Sequence, residues 1–270
     1  MTFRELLTLA MGDFIQYGFD GSDRLSEWMR RLRSLAAKDS PSPEALREHM
    51  RGMMEMYFRR ATSITMTRKK HPGVPLFTIT QIKPQLRSEL TRRIQASADL
   101  IKLNREQAIE KTLQRFAGWA SSVPAGGSRV TDKRDTKSDI TKALRQMSFE
   151  ERRVAIDQGH KLMSSIDAVI AQKTGAIAAV WRSHWRQPGY DYRPDHKERD
   201  GKVYALRGSW AMQKGLLNKG AGYLDEMTQA AEEPFCRCFV VYLQNLRDLP
   251  DGMLTAKGRA ELERVKIRAQ

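Results

Sequence analysis

Three residues able to ligate a soft or borderline metal ion, His196, Cys236 and Cys238, fall in the segment that runs from Trp181 to Cys238, and His184 is available as a fourth. Zinc takes four nitrogen or sulfur donors in a tetrahedron, and thiolates close in sequence are its usual anchors. A Cys-x-Cys pair is tighter than the common Cys-x-x-Cys. Along a regular strand its side chains point to opposite faces, so both sulfurs reach one ion only where the backbone kinks. Pro234, just upstream, gives a reason for a kink. The competing reading is two small buried thiols in a strand, one facing each side. A disulfide between residues i and i+2 is strained, and 2 cysteines in 270 residues exclude a disulfide scaffold. The cofactor to expect is a structural zinc ion or none.

The remaining polar residues of the segment argue against catalysis. Asp191 and Arg193 read as a buried or half-buried network: an arginine cannot act as a base, and an aspartate beside it has its pKa lowered, the wrong direction for a general acid. Asp200-Gly201 is a turn signal between two short extended pieces, with glycine supplying a positive φ. Trp181, Trp185 and Trp210 read as core anchors. Glu232 and Glu233 are adjacent rather than spaced and read as ordinary loop charges. The chain contains neither a Gly-x-x-x-x-Gly-Lys-Ser/Thr phosphate loop nor a His-Glu-x-x-His pair. None of the 5 histidines is placed by sequence beside a nucleophile.

The elements that must position these residues change in texture along the chain. Residues 1–123 read as helices. Phe3, Leu6, Leu7, Ala10, Met11, Phe14 and Ile15 make one apolar stripe at helical spacing, ended by Gly18 and Gly21. Ser22 or Asp23 caps the next helix, and Ser42 with Pro43 starts a third. That third helix carries a methionine-rich face, Leu46, Met50, Met53, Met54, Tyr57, Phe58, Ala61 and Ile64, which suits either a core or a docking surface. After Pro84 a run from Leu86 to Trp119 predicts a helix over about 82–120, roughly 55–60 Å long, unless it breaks near Asn104; that length suits bracing against a neighbouring subunit. Residues 124–139 read as a linker. Ser148 and Glu151 form a capping box at the start of a further helix. Short β-rich stretches over 176–181 and 235–243 read as strands. The expectation is an α+β protein: a helical region 1–123, a linker 124–139, a small α+β domain 140–250 and a helical tail 251–270.

The formal net charge of +15 favours a polyanionic partner such as nucleic acid. Residues 1–123 hold 21 Lys and Arg against 13 Asp and Glu, and 124–270 hold 26 against 19, so neither half is a dedicated basic module. No apolar run spans a membrane. The opening Phe3-Arg4-Glu5-Leu6-Leu7 lacks the basic start and small-residue cleavage site of a secretory signal, so synthesis in a cytoplasm is expected.

Taken together, the order of a tryptophan, Asp-x-Arg-Pro-x-His, Asp-Gly-Lys-Val and Cys-Arg-Cys resembles the signature of the Mu-F-like minor head (head morphogenesis) proteins of tailed bacteriophages. The matching positions are Trp185 (or Trp181), Asp191, Arg193, Pro194, His196, Gly201, Cys236, Arg237 and Cys238, within about 140–245. The stretch between Asp and Arg is one residue shorter than usual, and the helical half matches no motif of the family. The resemblance implies a multimeric minor virion component made in the bacterial host cytoplasm. It would act in head assembly near the portal, beside portal, major capsid or scaffold proteins, and would touch packaged double-stranded DNA without sequence preference. It also implies a distant structural relationship to ADP-ribosyltransferases and their split α+β fold. Those enzymes need a Glu-x-Glu or equivalent acid, which Glu232-Glu233 does not supply, so an enzyme is not expected. The alternatives are a cytoplasmic nucleic-acid-binding module and, more remotely, an ADP-ribosyltransferase.

Overall fold

The computed structural model describes residues 1–127 and 133–268. In chain order the helices are α1 (Phe3–Tyr17), α2 (Ser22–Asp39), α3 (Pro43–Ala61), α4 (Ile64–Lys70), α5 (Leu76–Ile82), α6 (Arg87–Ser122), α7 (Lys133–Ile140) and α8 (Lys142–Lys173). There follow β1 (Ala178–Arg182), α9 (Pro194–Glu198), β2 (Val203–Ala205), α10 (Trp210–Gln213), β3 (Phe239–Leu243) and α11 (Ala256–Arg268). The fold is α+β, a helical N-terminal half followed by a small antiparallel sheet. No helix is long and apolar enough to cross a membrane, among the described residues.

The chain forms two compact units, Met1–Met50 with Ala96–Val154, and Arg51–Gln95 with Ala155–Gln270. These units are discontinuous in sequence, because the division falls inside α3, α6 and α8. The stretch 124–139 therefore falls within the first unit. Residues 128–132 of that stretch lie outside the described residues, and its charged end folds as α7.

The first unit is helical. Thr2 and Glu5 close a capping box on α1, and Gly18 ends the helix with φ +74°. A Cβ at Gly18 would lie 1.9 Å from the Pro124 carbonyl oxygen, so glycine is required twice over. The α1 stripe is buried from Phe3 to Phe14 against Leu32 and Ala36 of α2 and Ala108, Leu113, Phe116 and Ala120 of α6. Phe14 and Phe116 meet edge to face, 5.9 Å between centroids. Ser42 caps α3 as expected, its Oγ accepting from the Ala45 N–H at 3.1 Å.

Two helical expectations are corrected here. No helix starts at Ser148: α8 begins at Lys142 and runs through it, because the good helix formers 142–147 carry the helix back to the buried Leu144. Glu151 instead forms an ion pair with Arg105. The long helix is real, unbroken at Asn104, and 36 residues long. Its apolar stripe is consumed inside the chain rather than left for a neighbouring subunit: Leu90 and Ile94 are buried in the second unit and Leu113 and Phe116 in the first. The methionine-rich face of α3 is likewise core, with Leu46, Met50, Met54, Phe58 and Ala61 buried; Ile64 lies beyond that helix and is exposed.

The second unit is built on a three-stranded sheet in the order β2-β1-β3, antiparallel throughout, with Ala179 opposite both Tyr204 and Tyr242. Both faces are covered. Ala178, Ala205 and Leu243 pack with Leu216, Leu217, Leu246 and Met253 on one side, and Leu262 of α11 joins them. Ala179, Trp181, Tyr204, Val240 and Tyr242 pack on the other side with Cys236 and Cys238. The period of two sorts these side chains between two separate cores. Three details differ from the sequence reading. The last strand starts at Phe239, not 235. The piece before Asp200-Gly201 is a turn following α9, not an extended strand. Of the three tryptophans only Trp181 is a true core residue; Trp185 is half-buried and Trp210 is 39% exposed.

Candidate metal centre

The position of His196 begins with a proline. Arg193 has extended backbone, φ −78° and ψ 135°, and Pro194 occupies the first helical position of α9, where its missing N–H costs nothing. The His196 N–H donates to the Arg193 carbonyl at 3.1 Å. This short turn delivers the imidazole to the interior, where it is 3% exposed. Trp181 of β1 meets it edge to face, 5.6 Å between ring centroids.

The thiols arrive from the loop before β3. Phe235 has φ +64°, an unusual state for a non-glycine residue that marks a sharp local turn. The Cys236 N–H donates back to the Glu233 carbonyl at 3.1 Å. Cys236-Arg237-Cys238 is consequently not regular strand, and the alternation that would send the sulfurs to opposite faces does not apply. Both turn to one imidazole. Cys238 Sγ lies 3.4 Å and Cys236 Sγ 3.6 Å from Nδ1 of His196. The reading with one thiol on each side of a strand is thereby overturned. The ligand atoms of all three residues lie within 4.8 Å of one another, and all three residues are buried.

The second nitrogen of His196 is also engaged. Its Nε2 faces Glu233 Oε2 at 3.3 Å and Asp195 Oδ2 at 3.9 Å. The same Glu233 oxygen lies 2.9 Å from Arg193 Nε, and the Arg193 guanidinium donates to the Pro234 carbonyl at 3.1 Å. Arg193 thus ties the start of α9 to the cysteine loop, and places the Glu233 carboxylate beside the far nitrogen of the ring. A histidine whose far nitrogen meets a carboxylate is the usual outer arrangement of a metal-ligating imidazole.

The two thiols divide their protonation. A hydrogen bond from Cys238, outweighing burial, lowers the Cys236 pKa to about 6. The Cys238 thiol is pushed up, by Cys236 first and by burial second. The thiolate is the form that binds metals, and the direction at Cys236 favours it. Two sulfurs and one imidazole nitrogen, converged and buried, can hold a metal ion.

The other residues of the segment take structural places. His184, the possible fourth ligand, packs beside Phe239, 5.9 Å between ring centroids, and is not part of the three-residue group. Trp185 donates its indole N–H to Asp200 Oδ2 at 2.9 Å, and the Ser183 N–H donates to Asp200 Oδ1 at the same distance. Burial raises the Asp200 pKa, but these two donors outweigh it and hold the carboxyl below its usual range. Gly201, φ +79°, lets the turn close with its N–H donating to the Trp181 carbonyl at 2.9 Å. Arg237 is half-buried beside Tyr190, whose Oη accepts from the Arg237 N–H at 3.2 Å.

Asp191 corrects an expectation: it is exposed and has no part in the Arg193 network, because that guanidinium reaches Glu233 and Pro234 across the fold instead. Glu233, read from sequence as an ordinary loop charge, is the residue the sequence reading missed. Its only signal was its place three residues before Cys236. Comparison with protein-family profiles, with curated proteins and with solved structures finds no match to this chain.

Proposed function

We propose that this chain is a minor structural protein of a tailed-phage head, of the Mu-F-like type, whose second unit is stapled by a zinc ion held by His196, Cys236 and Cys238. The observation that carries this reading is the convergence of His196 on both thiols. Those three residues, with Arg193 and Pro194 that position them, are residues on which the resemblance rests. They lie 40 and 42 positions apart in sequence and form one buried group.

The two sulfur–nitrogen distances are compatible with zinc. With Zn–S near 2.3 Å and Zn–N near 2.05 Å at a tetrahedral angle, a sulfur and a nitrogen on one ion stand roughly 3.6 Å apart. The two S···N distances here are 3.4 and 3.6 Å. Zinc would draw off the thiol protons and cross-link α9 to the loop before β3, contributing folding free energy directly. All three donors are buried, each 2–3% exposed, and a tetrahedral zinc ion would take its fourth ligand from outside this group.

In the virion such a unit would meet portal, capsid or scaffold proteins, and the net charge of +15 would let the chain sit against packaged DNA through phosphate contacts, without sequence preference. Mass spectrometry of purified phage particles tests the assignment. The chain is expected among the low-copy head proteins. Its absence from particles, with the protein plentiful in infected-cell lysate, would refute the virion role and leave only the metal site.

A further inference from the structure

The second unit has an open cleft of about 290 Å³ bordered by α3, α4, α8 and the Cys238 end of the cysteine loop. Its wall carries four cationic side chains, Arg60, Lys69, Lys70 and Arg237, and one acid, Asp167. That acid is already taken. Asp167 forms an ion pair with Lys70 and lies 3.4 Å from His71 Nε2, with all three side chains nearly fully buried. Arg60, Lys69 and Arg237 have no carboxylate within ion-pair distance among the described residues. Lys69 sits over the Phe239 ring at 5.0 Å and Arg237 beside the Tyr190 ring at 5.7 Å.

Three unmatched positive charges on one concave wall create a field that the protein does not neutralise itself, and a cleft with apolar walls focuses it. Burial lowers the pKa of His160 on the same wall, the charges of Arg237, Arg60 and Lys70 act in the same direction, and Asp157 opposes them. Met66, Met163 and Val240 supply the apolar part of the lining, while Arg60 and Lys69 are solvent-exposed at its rim and Arg237 is half-buried. The Arg237 main chain is anchored by its N–H bond to Tyr190 Oη.

We propose that this cavity binds a phosphate group, with Arg60, Lys69 and Arg237 as its cationic clamp. A phosphate ester or inorganic phosphate carries up to about two negative charges near neutral pH and several acceptor oxygens. Arginine forks match those oxygens with two parallel hydrogen bonds each. The volume lies at the lower end of small-molecule sites, roughly 300–1,000 Å³, which leaves room for part of whatever bears the phosphate. The proposal stands apart from the virion role: either can fail without the other.

Isothermal titration of the full chain at fixed ionic strength, with inorganic phosphate, AMP and a short DNA duplex as probes, tests this. The double variant Arg60→Gln/Lys69→Gln removes two exposed cavity cations, and Lys83→Gln/Arg87→Gln removes two exposed cations elsewhere. At least one probe is expected to bind, with the cavity variant weakening it tenfold or more and the control less than twofold. A cavity-specific loss for phosphate or AMP identifies a small-molecule site; one confined to the duplex identifies a nucleic-acid backbone phosphate. No binding of any probe, or equal loss in both variants, overturns the proposal. Arg60→Gln alone, with two charged clamp residues kept, provides the same comparison should the double variant unfold.

Discussion

Arg193 and Glu233, forty positions apart, meet at 2.9 Å from Nε to Oε2, and the same carboxylate oxygen lies 3.3 Å from Nε2 of His196. This contact converts two surface loops into one support for the imidazole. It gives Arg193 a physical role: the arginine holds the acid beside the ring, and the ring faces both thiols.

Loosening that support should weaken metal binding without unfolding the chain. Glu233→Gln and Arg193→Ala each leave the three donors in place but remove the carboxylate or its anchor. Outer partners of this kind change metal affinity by about 10–100-fold. Competition with a chromophoric chelator reads the affinity, while circular dichroism checks the fold. Unchanged affinity in both variants would mean that Glu233 does not orient His196.

Asp200 sets a pH dependence. Its folded pKa is depressed, while an unfolded aspartate titrates near 3.9. The stability it contributes is therefore present in full above about pH 3.9 and is lost as the pH falls through its lower folded value. Asp200→Asn should be less stable than the parent at neutral pH, and the gap should close on acidification below about pH 4. Urea titrations at several pH values, followed by tryptophan fluorescence, measure it. A gap constant with pH would remove the carboxylate from the account.

The core of the first unit depends on the pair Phe14 and Phe116, both fully buried. Phe14→Ala should cost about 3–5 kcal/mol, as large-to-small aromatic changes in cores do. Denaturant unfolding gives the value directly, and a loss below about 1 kcal/mol would show that the site collapses around the gap.

Binding to duplex DNA, if it runs through phosphates, should fall steeply with salt, the slope of log affinity against log salt reporting the number of phosphates neutralised. An electrophoretic shift series at increasing salt reads it. A flat response would remove the proposed contact with packaged DNA.

Much of this architecture was legible in the residues. The α1 stripe, the glycine stop at Gly18 and the Ser42–Pro43 start are local signals, and the structure keeps them. The three residues that could hold a metal were legible as well, since their types alone define the chemistry. Two kinds of information were not. Cooperation between distant parts of the chain leaves no local mark: Glu233 gains its role only because α9 folds against its loop, and the two units interleave segments that are far apart in sequence. Competing local signals also mislead. Ser148 and Glu151 have capping-box spacing, yet a helix already under way from Lys142 overrides them. Phe235 to Cys238 has strand composition, yet the positive φ of Phe235 turns it into the loop that brings the sulfurs together.

The metal content of the chain, purified without chelators and read by native mass spectrometry beside elemental analysis, tests the staple most directly. One zinc ion per chain is expected, lost in Cys236→Ser and in His196→Ala together with a fall in melting temperature. A metal-free parent chain whose melting temperature is indifferent to added zinc and to both substitutions would contradict it.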